Sequence, residues 1–256
     1  MITFSKCNPL PGSDSLSCEA AGLELLRSVL CQSGNNLLRV PQLISQSPDQ
    51  LQLQAISRCA ASARQMARLG RGLALLHRLP QARYGLAQDN YIGLNPQPNG
   101  LSDNWGEFFV TRRLEYQLGL IADAALRQGF SARLAACKVT LTGYLNRYCE
   151  QPSLLHGDLW SGNVLFDSED VWLIDPAVYC GDREADIAMT ELFGGFSAVF
   201  YAAYDAEYPR SEVYPAKRTI YNLYHYLNHY NLFGSGYLAA CQRGFEQLPG
   251  LIDHAG

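Results

Sequence analysis

"LLHGDLWSGNVLF", residues 154 to 166, followed by "VWLIDPA", residues 171 to 177, sets a histidine, two aspartates and an asparagine within otherwise apolar runs. Polar groups in such runs are costly to bury unless they are paired or put to use. "NVLF" and "VWLID", joined by "DSED", have the pattern of a β-hairpin. An aspartate in the loop before it can accept a proton from a hydroxyl. An asparagine five residues on and an aspartate closing the second strand can hold Mg²⁺ against nucleotide phosphates. Asp158 is thus the candidate catalytic base, and Asn163 and Asp175 are the candidate magnesium ligands. A plainer reading, in which Asp158 caps a turn and Asp175 ends a strand, explains each residue singly but not their convergence. His156 is expected to brace the loop backbone.

Upstream, "ITFSKCN" reads as a strand that Pro11 and Gly12 break before "LSCEAAGLELLRSVL", whose apolar residues recur at helical spacing. Lys6 on that strand and Glu19 on that helix are candidates for an ion pair that sets a lysine on the α- and β-phosphates. Taken alone, each reads as a solvated charge. "LLRVPQLI" and "LQLQAIS" are two further strands around the turn-rich "SQSPDQ", with Pro41 placing the first at an edge or bulge. From about Ala60 the character turns helical. "ASARQMARLGRGLALLHRL" carries Met66, Leu69, Leu73 and Leu76 on one face and stops at Pro80. The expected division is therefore a nucleotide-binding lobe over 1–58 and a helical catalytic and substrate lobe over 59–256. "PQARYGLAQDNYIGLNPQPNGLSD" reads as a long functional loop, in which Asp89 and Asn90 are candidate substrate or loop-anchoring groups, or simply a turn-forming pair. Asn104 with Glu107 resembles a capping box opening a helix over "WGEFFVTRRLEYQLGLIADAAL", and Ser131 is expected to cap another through Tyr148. Beyond the hairpin the chain reads as mostly helix.

The formal net charge of -4, with no basic run, argues against nucleic acid or an anionic membrane as partner. No stretch of about 18 apolar residues suggests a membrane span. The eight cysteines form no C-x-x-C pair, and Met1 opens no signal-peptide pattern, so a reduced, cytoplasmic protein with mostly buried cysteines is expected. Nine of the fifteen tyrosines lie between Tyr201 and Tyr237. With Trp160, His225 and His229 they offer aromatic faces for sugar C–H surfaces and polar tips for hydroxyls, although spacing such as Tyr221, Tyr224 and Leu227 suits a core equally well.

Taken together, "FSKCN", "EAAGLELL", "LGRGLALLH", "YGLAQDNYIG", "WGEFFVTRRL", "LLHGDLWSGN", "IDPAVYCGDREADIAMTELFGGF" and "HYLNHYNLFGSGY" give a sequence that resembles the fructosamine kinase (ketosamine-3-kinase) family, relatives of aminoglycoside and choline phosphotransferases. The resemblance implies an α+β, protein-kinase-like two-lobe fold with a small β-rich N-terminal lobe and a larger, mostly helical C-terminal lobe. It implies ATP and Mg²⁺ as cofactors, and phosphorylation of the 3-hydroxyl of a ketosamine, free or on a glycated protein, as a repair reaction. Carried onto this chain, Asp158 is the base, Asn163 and Asp175 the magnesium ligands, and Lys6 and Glu19 the phosphate-positioning pair. Asp186 resembles the helix aspartate that braces the catalytic loop, while by itself it could be a surface charge. The strand "LQLQAIS" should lead into the hinge that receives adenine.

One departure stands out. The family covers the phosphates with a glycine-rich hairpin ahead of the lysine strand, and here five residues precede Lys6, too few for a hairpin of roughly 12 residues. An internal start within a longer gene product, a truncated form of poor activity, and cover from another segment or subunit are the explanations left open. Two other functions are compatible with the same residues. Another small-molecule phosphotransferase of the aminoglycoside or choline kinase type is opposed by the aromatic, mixed-charge character of 183–256. A catalytically impaired, kinase-like binding protein is opposed by the intact Asp158, Asn163 and Asp175.

Overall fold

The computed structural model describes residues 2–253. β1 (Thr3–Cys7) leads into α1 (Ser15–Gln32), and β2 (Leu43–Gln46) and β3 (Gln50–Gln54) follow; the strands form one antiparallel sheet in the order β1-β3-β2. In β3, "QLQLQ" buries Leu51 and Leu53 and turns the glutamines outward, the two-residue period of a half-buried strand. Directly opposed residues share a face, and the register sets Lys6 opposite Leu51. Lys6 is thereby aimed inward, under α1. β2 starts just past Pro41, lies at the sheet edge and carries a register shift between Leu43 and Ser45, as a proline at that place predicts.

α2 (Ala63–Arg78) opens with a full capping box: the Ser62 hydroxyl accepts from Gln65 N, and the Gln65 side chain accepts from Ser62 N. Residues 80–103, expected as loop, contain four three-residue strands instead. These are β4 (Tyr84–Leu86), β5 (Asn90–Ile92), β6 (Asn95–Gln97) and β7 (Gly100–Ser102). Strands that short show no readable period. They exist here because β5 pairs with β6, while β4 and β7 join a sheet with strands far along the chain.

The helix expected after Asn104 is also different in detail. α3 (Trp105–Phe108) runs into a π-helical stretch, Phe109–Glu115, before α4 (Tyr116–Gly119). The Asn104 cap is present, its Oδ1 accepting from Glu107 N at 2.8 Å. α5 (Ala124–Tyr148) begins well before Ser131, capped by Asp123, whose carboxylate accepts from Leu126 N. Ser131 sits inside the helix, because an aspartate ahead of "AALRQ" is the stronger start signal.

β8 (Ser153–Leu155) precedes the hairpin of β9 (Val164–Phe166) and β10 (Val171–Leu173), which pairs as its sequence predicts. β11 (Tyr179–Gly181) completes the sheet β7-β4-β11-β8. Helices α6 (Glu184–Leu192), α7 (Ala198–Glu207), α8 (Tyr214–Phe233) and α9 (Leu238–Asp253) finish the described chain. One apolar cluster fills the helical part around Trp105, Phe109, Tyr221 and Phe245. A second joins Leu16 and Leu23 of α1 and Leu51 and Leu53 of β3 to Leu69 and Leu73 of α2, Val164 of β9 and Phe200 of α7. It crosses residue 58, so the β-sheet is seated on the helical part by a shared core.

No helix among the described residues is long and apolar enough to cross a membrane. Of the eight cysteines only Cys137 and Cys241 are fully buried, whereas Cys7, Cys31 and Cys59 are exposed. The expectation of mostly buried cysteines is corrected: the exposed three sit on an edge strand, at a helix end and in a linker, where no core is available to take them.

Candidate active site

The loop between β8 and β9 is held from below. Asp186, on the first turn of α6 and 1% exposed, accepts from His156 N at 2.7 Å and Gly157 N at 2.9 Å, and pairs with His77 Nε2 at 3.2 Å. Burial alone would raise its pKa, but the hydrogen bond with the His77 side chain and the Gly157 N–H outweigh it and hold the carboxyl below its usual range. His156 Nε2 donates to Ile174 O, and Ala177 N donates to His156 O, so the loop is stapled to the chain after β10. Burial pushes the His156 pKa down, and a neutral imidazole suits such a brace. Gly157 has φ +82°, and a Cβ there would stand 2.0 Å from Ala177 O. Only glycine allows that approach.

Above this floor the loop presents its polar groups. Asn163 Nδ2 donates to Asp158 O at 2.9 Å and Asp158 Oδ2 at 3.1 Å, which turns Oδ1 of the amide away from the loop. Burial pushes the Asp158 carboxyl up to about 7, against the hydrogen bond from Asn163 and helped by the charges of Asp175 and Asp186. Asp175, at the end of β10, is the one non-glycine with positive φ among the described residues, at 50°. Its Oδ1 lies 3.0 Å from Lys6 Nζ, which also meets Glu19 Oε2 at 2.7 Å. Burial opposes the charge on Lys6, but the two carboxylates prevail and raise its pKa. Glu19 is itself raised, chiefly by burial, and its Oε1 is buried without a partner.

A cavity of about 310 Å³ brings eight of the ten candidates together: Lys6, Glu19, Asn90, Asp158, Trp160, Asn163, Asp175 and His229. Asp89 and His225 are the two left out. Asp89 is exposed, its carboxylate accepting from Asn99 N, and it lines a neighbouring hollow. His225 lies within α8 with Nδ1 buried and unpartnered, and burial pushes its pKa down to about 3; on α8 the cavity is reached instead by Asn228, His229, Leu232 and Phe233. Asn90 lines the cavity but its amide is committed elsewhere. It donates to Val178 O and accepts from Gln97 and Asn99, and Arg113 in turn donates to Asn99 Oδ1 at 2.7 Å. That buried network ties β5 and β6 to Ala177 and Val178, just after Asp175.

Sequence reasoning missed the ring wall. Phe193 lies 6.4 Å from Trp160 and 5.0 Å from His229, and Phe233 and Tyr237 follow around His229. The signal was present in the spacing of His229 and Phe233, one helical turn apart, whereas Phe193 comes from the end of α6, far away in sequence. The oxygen donors also suit magnesium. Asn163 Oδ1 and the Asp175 carboxylate are hard ligands on one side of the cavity, and no three His, Cys, Asp or Glu side chains gather into a cage among the described residues. Mg²⁺ is commonly held that way, by one or two protein oxygens with phosphates and water completing its shell.

A lysine and glutamate pair facing a loop that carries an aspartate and an asparagine, inside a small sheet set on a helical body, defines the class: a phosphotransferase with the protein-kinase-like fold. The structure superposes on a gentamicin complex of the aminoglycoside phosphotransferase APH(2")-IIa with a TM-score of 0.60 over 96% of this chain and 84% of that one, at 15% identity, a likeness of fold alone. The particular family follows from closer relatives. The fructosamine kinase model matches residues 2–249, and the chain belongs to that family. It is 39% identical over 251 residues to a protein of Synechocystis sp. named "Probable ketoamine kinase", covering 95% of this chain and 82% of the relative. A crystal structure assigned as a fructosamine-3-kinase from Thermobifida fusca superposes with a TM-score of 0.85, at 28% identity, over 97% of this chain and 85% of that one. Membership makes the chain an ATP-dependent kinase acting on a hydroxyl group.

Proposed function

We propose that this chain transfers the γ-phosphoryl group of ATP to the 3-hydroxyl of a ketosamine, the adduct of a sugar with a protein lysine or a free amine. The observation that carries the reading is that one cavity is lined by Asp158, by the Lys6, Glu19 and Asp175 cluster and by the rings of Trp160, His229 and Phe233. Asp158 takes the proton of the attacking hydroxyl as the new O–P bond forms and the bond from the γ-phosphorus to ADP breaks. Lys6, held by Glu19, sets the α- and β-phosphates. Asn163 and Asp175 would hold Mg²⁺, which would supply charge neutralisation on the phosphates when bound. Trp160, His229 and Phe233 offer ring faces to the sugar, with Phe193 packed behind Trp160 and His229, while Asn90 anchors the loop. The sheet of residues 1–58 serves the nucleotide and residues 59–256 serve catalysis and substrate.

The test is phosphate transfer from ATP·Mg²⁺ to fructosyl-lysine and ribulosyl-lysine, followed by ³¹P NMR of the sugar phosphate and by release of free lysine. Ketosamine-dependent formation of ADP, matched by lysine recovery, is the expected result. Transfer to an aminoglycoside or to choline in preference to either ketosamine would overturn the substrate assignment, and nucleotide binding without transfer to any of these would overturn the kinase reading for this chain.

A further inference from the structure

His77 and Tyr204 are polar side chains shut away from water, 0% and 1% exposed, and neither lines the active-site cavity. The backbone brings them together. α2 and α7 approach so closely that a Cβ at Gly70 would stand 3.0 Å from Tyr204 N as well as 2.2 Å from Phe200 O. His77 lies two turns on from Gly70 along the same helix face, and Tyr204 one turn on from Phe200. Tyr204 Oη meets His77 Nδ1 at 2.9 Å, and the other ring nitrogen of His77 faces Asp186 Oδ2 at 3.2 Å. The His77 carbonyl accepts from the Ser153 hydroxyl at 2.6 Å, so the end of α2 is fastened to β8, the strand that leads into the catalytic loop.

Counting donors and acceptors fixes where the protons lie. Arg183, the residue before α6, can only donate, and its Nη1 lies 3.3 Å from Tyr204 Oη. The hydroxyl accepts there and has one proton to give. Among the described residues its other hydrogen-bond partner is His77 Nδ1. Nδ1 is therefore the acceptor, the ring hydrogen sits on Nε2, and Nε2 donates to the Asp186 carboxylate. The donors run one way, from Arg183 through Tyr204 and His77 to Asp186, so the chain closes on the helix start where it began. Asp186 also accepts from His156 N and Gly157 N. With the hydrogen on Nδ1 instead, the hydroxyl proton would have no acceptor and a bare Nε2 would face a carboxylate. Filling the core between α2 and α7 would require neither polar group.

We propose that Tyr204 is a positioning residue for phosphoryl transfer: its hydroxyl fixes His77 as the Nε2–H tautomer, and His77 in that form orients the Asp186 carboxylate that holds the backbone just ahead of Asp158. The nitrogen that an imidazole offers to one partner is chosen by the hydrogen bond at the other. Tyr204 touches neither nucleotide nor acceptor. It acts on the rate through the place of Asp158, where a shift of about 1 Å costs on the order of a hundredfold.

The experiment has a spectroscopic and a kinetic arm. In ¹⁵N NMR of the full chain, with the His77 signals assigned by their loss in His77→Gln, Nε2 is expected to carry the hydrogen and Nδ1 to be bare, a preference that Tyr204→Phe should weaken or reverse. This arm needs no turnover and is independent of the acceptor, whereas the kinetic arm rests on the ketosamine kinase reading. Tyr204→Phe should lower kcat about tenfold while KM for ATP and for the ketosamine stays within about twofold. The pair His77→Gln and His77→Asn separates positioning from packing. The glutamine amide reaches the place of Nε2 and donates to Asp186, and the asparagine amide reaches only the place of Nδ1. Both remove the ring and should lower the melting temperature alike, yet His77→Gln is expected to keep kcat within about threefold and His77→Asn to lose about tenfold or more. A parental hydrogen on Nδ1, an unchanged tautomer or parental kcat in Tyr204→Phe, or equal losses of kcat in the two His77 variants would each overturn the assignment. If Tyr204→Phe fails to fold, the parental tautomer and the His77 pair carry the test.

Discussion

Asp158 and Asp175 are two carboxylates on one short stretch, and their surroundings set them apart. Burial lifts Asp158 to about 7, while Asp175, which burial would also raise, is brought below the usual range by Lys6. A carboxylate that holds a proton loosely near neutrality suits a base, and one kept ionised beside a lysine suits a cation ligand. Asp158→Ala should accordingly lower kcat by about 10²–10⁴ while nucleotide affinity stays within about twofold of the parent. Single-turnover kinetics with a parallel nucleotide titration will show it, and retained turnover would remove Asp158 from the base role. Asp175→Ala should instead abolish the gain in nucleotide affinity on adding Mg²⁺. A variant whose affinity still rises with the metal would take Asp175 out of the ligand set. The roles proposed for these residues were legible from their spacing. The partners that tune them were not, because Lys6 and Asp175 lie 169 residues apart in sequence.

At the level of elements, the long helices announced themselves and the short strands did not. α2 shows both its cap, in Ser62 and Gln65, and its apolar stripe in one continuous stretch. The same helix carries a feature that periodicity hides: Gly70 is the point of closest approach to α7, and a Cβ there would stand 2.2 Å from Phe200 O. Gly70→Ala gains helix propensity of about 1 kcal/mol, yet it must push the two helices apart, an overpacking cost of about 1–3 kcal/mol. We expect a net loss of stability, read as a lower urea midpoint. An unchanged or raised midpoint would show that α7 moves aside freely. The strands between residues 84 and 102 follow the opposite logic. They are held by Asn90, Gln97, Asn99 and Arg113 rather than by any local pattern, which is why the sequence alone reads as loop.

Across the whole molecule, Asp186 is the junction at which α2, the catalytic loop and α6 meet. Its folded pKa is depressed, so its ionisation contributes stability that is fully present above the unfolded value near 4 and lost as pH falls through the folded one. Asp186→Asn should be less stable than the parent at pH 7 by about 1.5–3 kcal/mol, the worth of a hydrogen bond to a charged group. Denaturation at a series of pH values should show that gap constant down to about pH 5 and closing below about pH 4. A gap independent of pH would mean that the charge of Asp186 is not what holds the junction. By itself the sequence determined the hairpin of β9 and β10, the long helices, the family resemblance and the candidate base, lysine and metal ligands, because these rest on local spacing and on the identity of a few polar residues. Tertiary structure alone decided which candidates share a cavity, that His225 is buried while His229 lines the cavity, that Phe193 packs on its rings, and that residues 84–102 hold four short strands. Those outcomes depend on burial and on contacts between residues far apart in the chain, which no local pattern encodes.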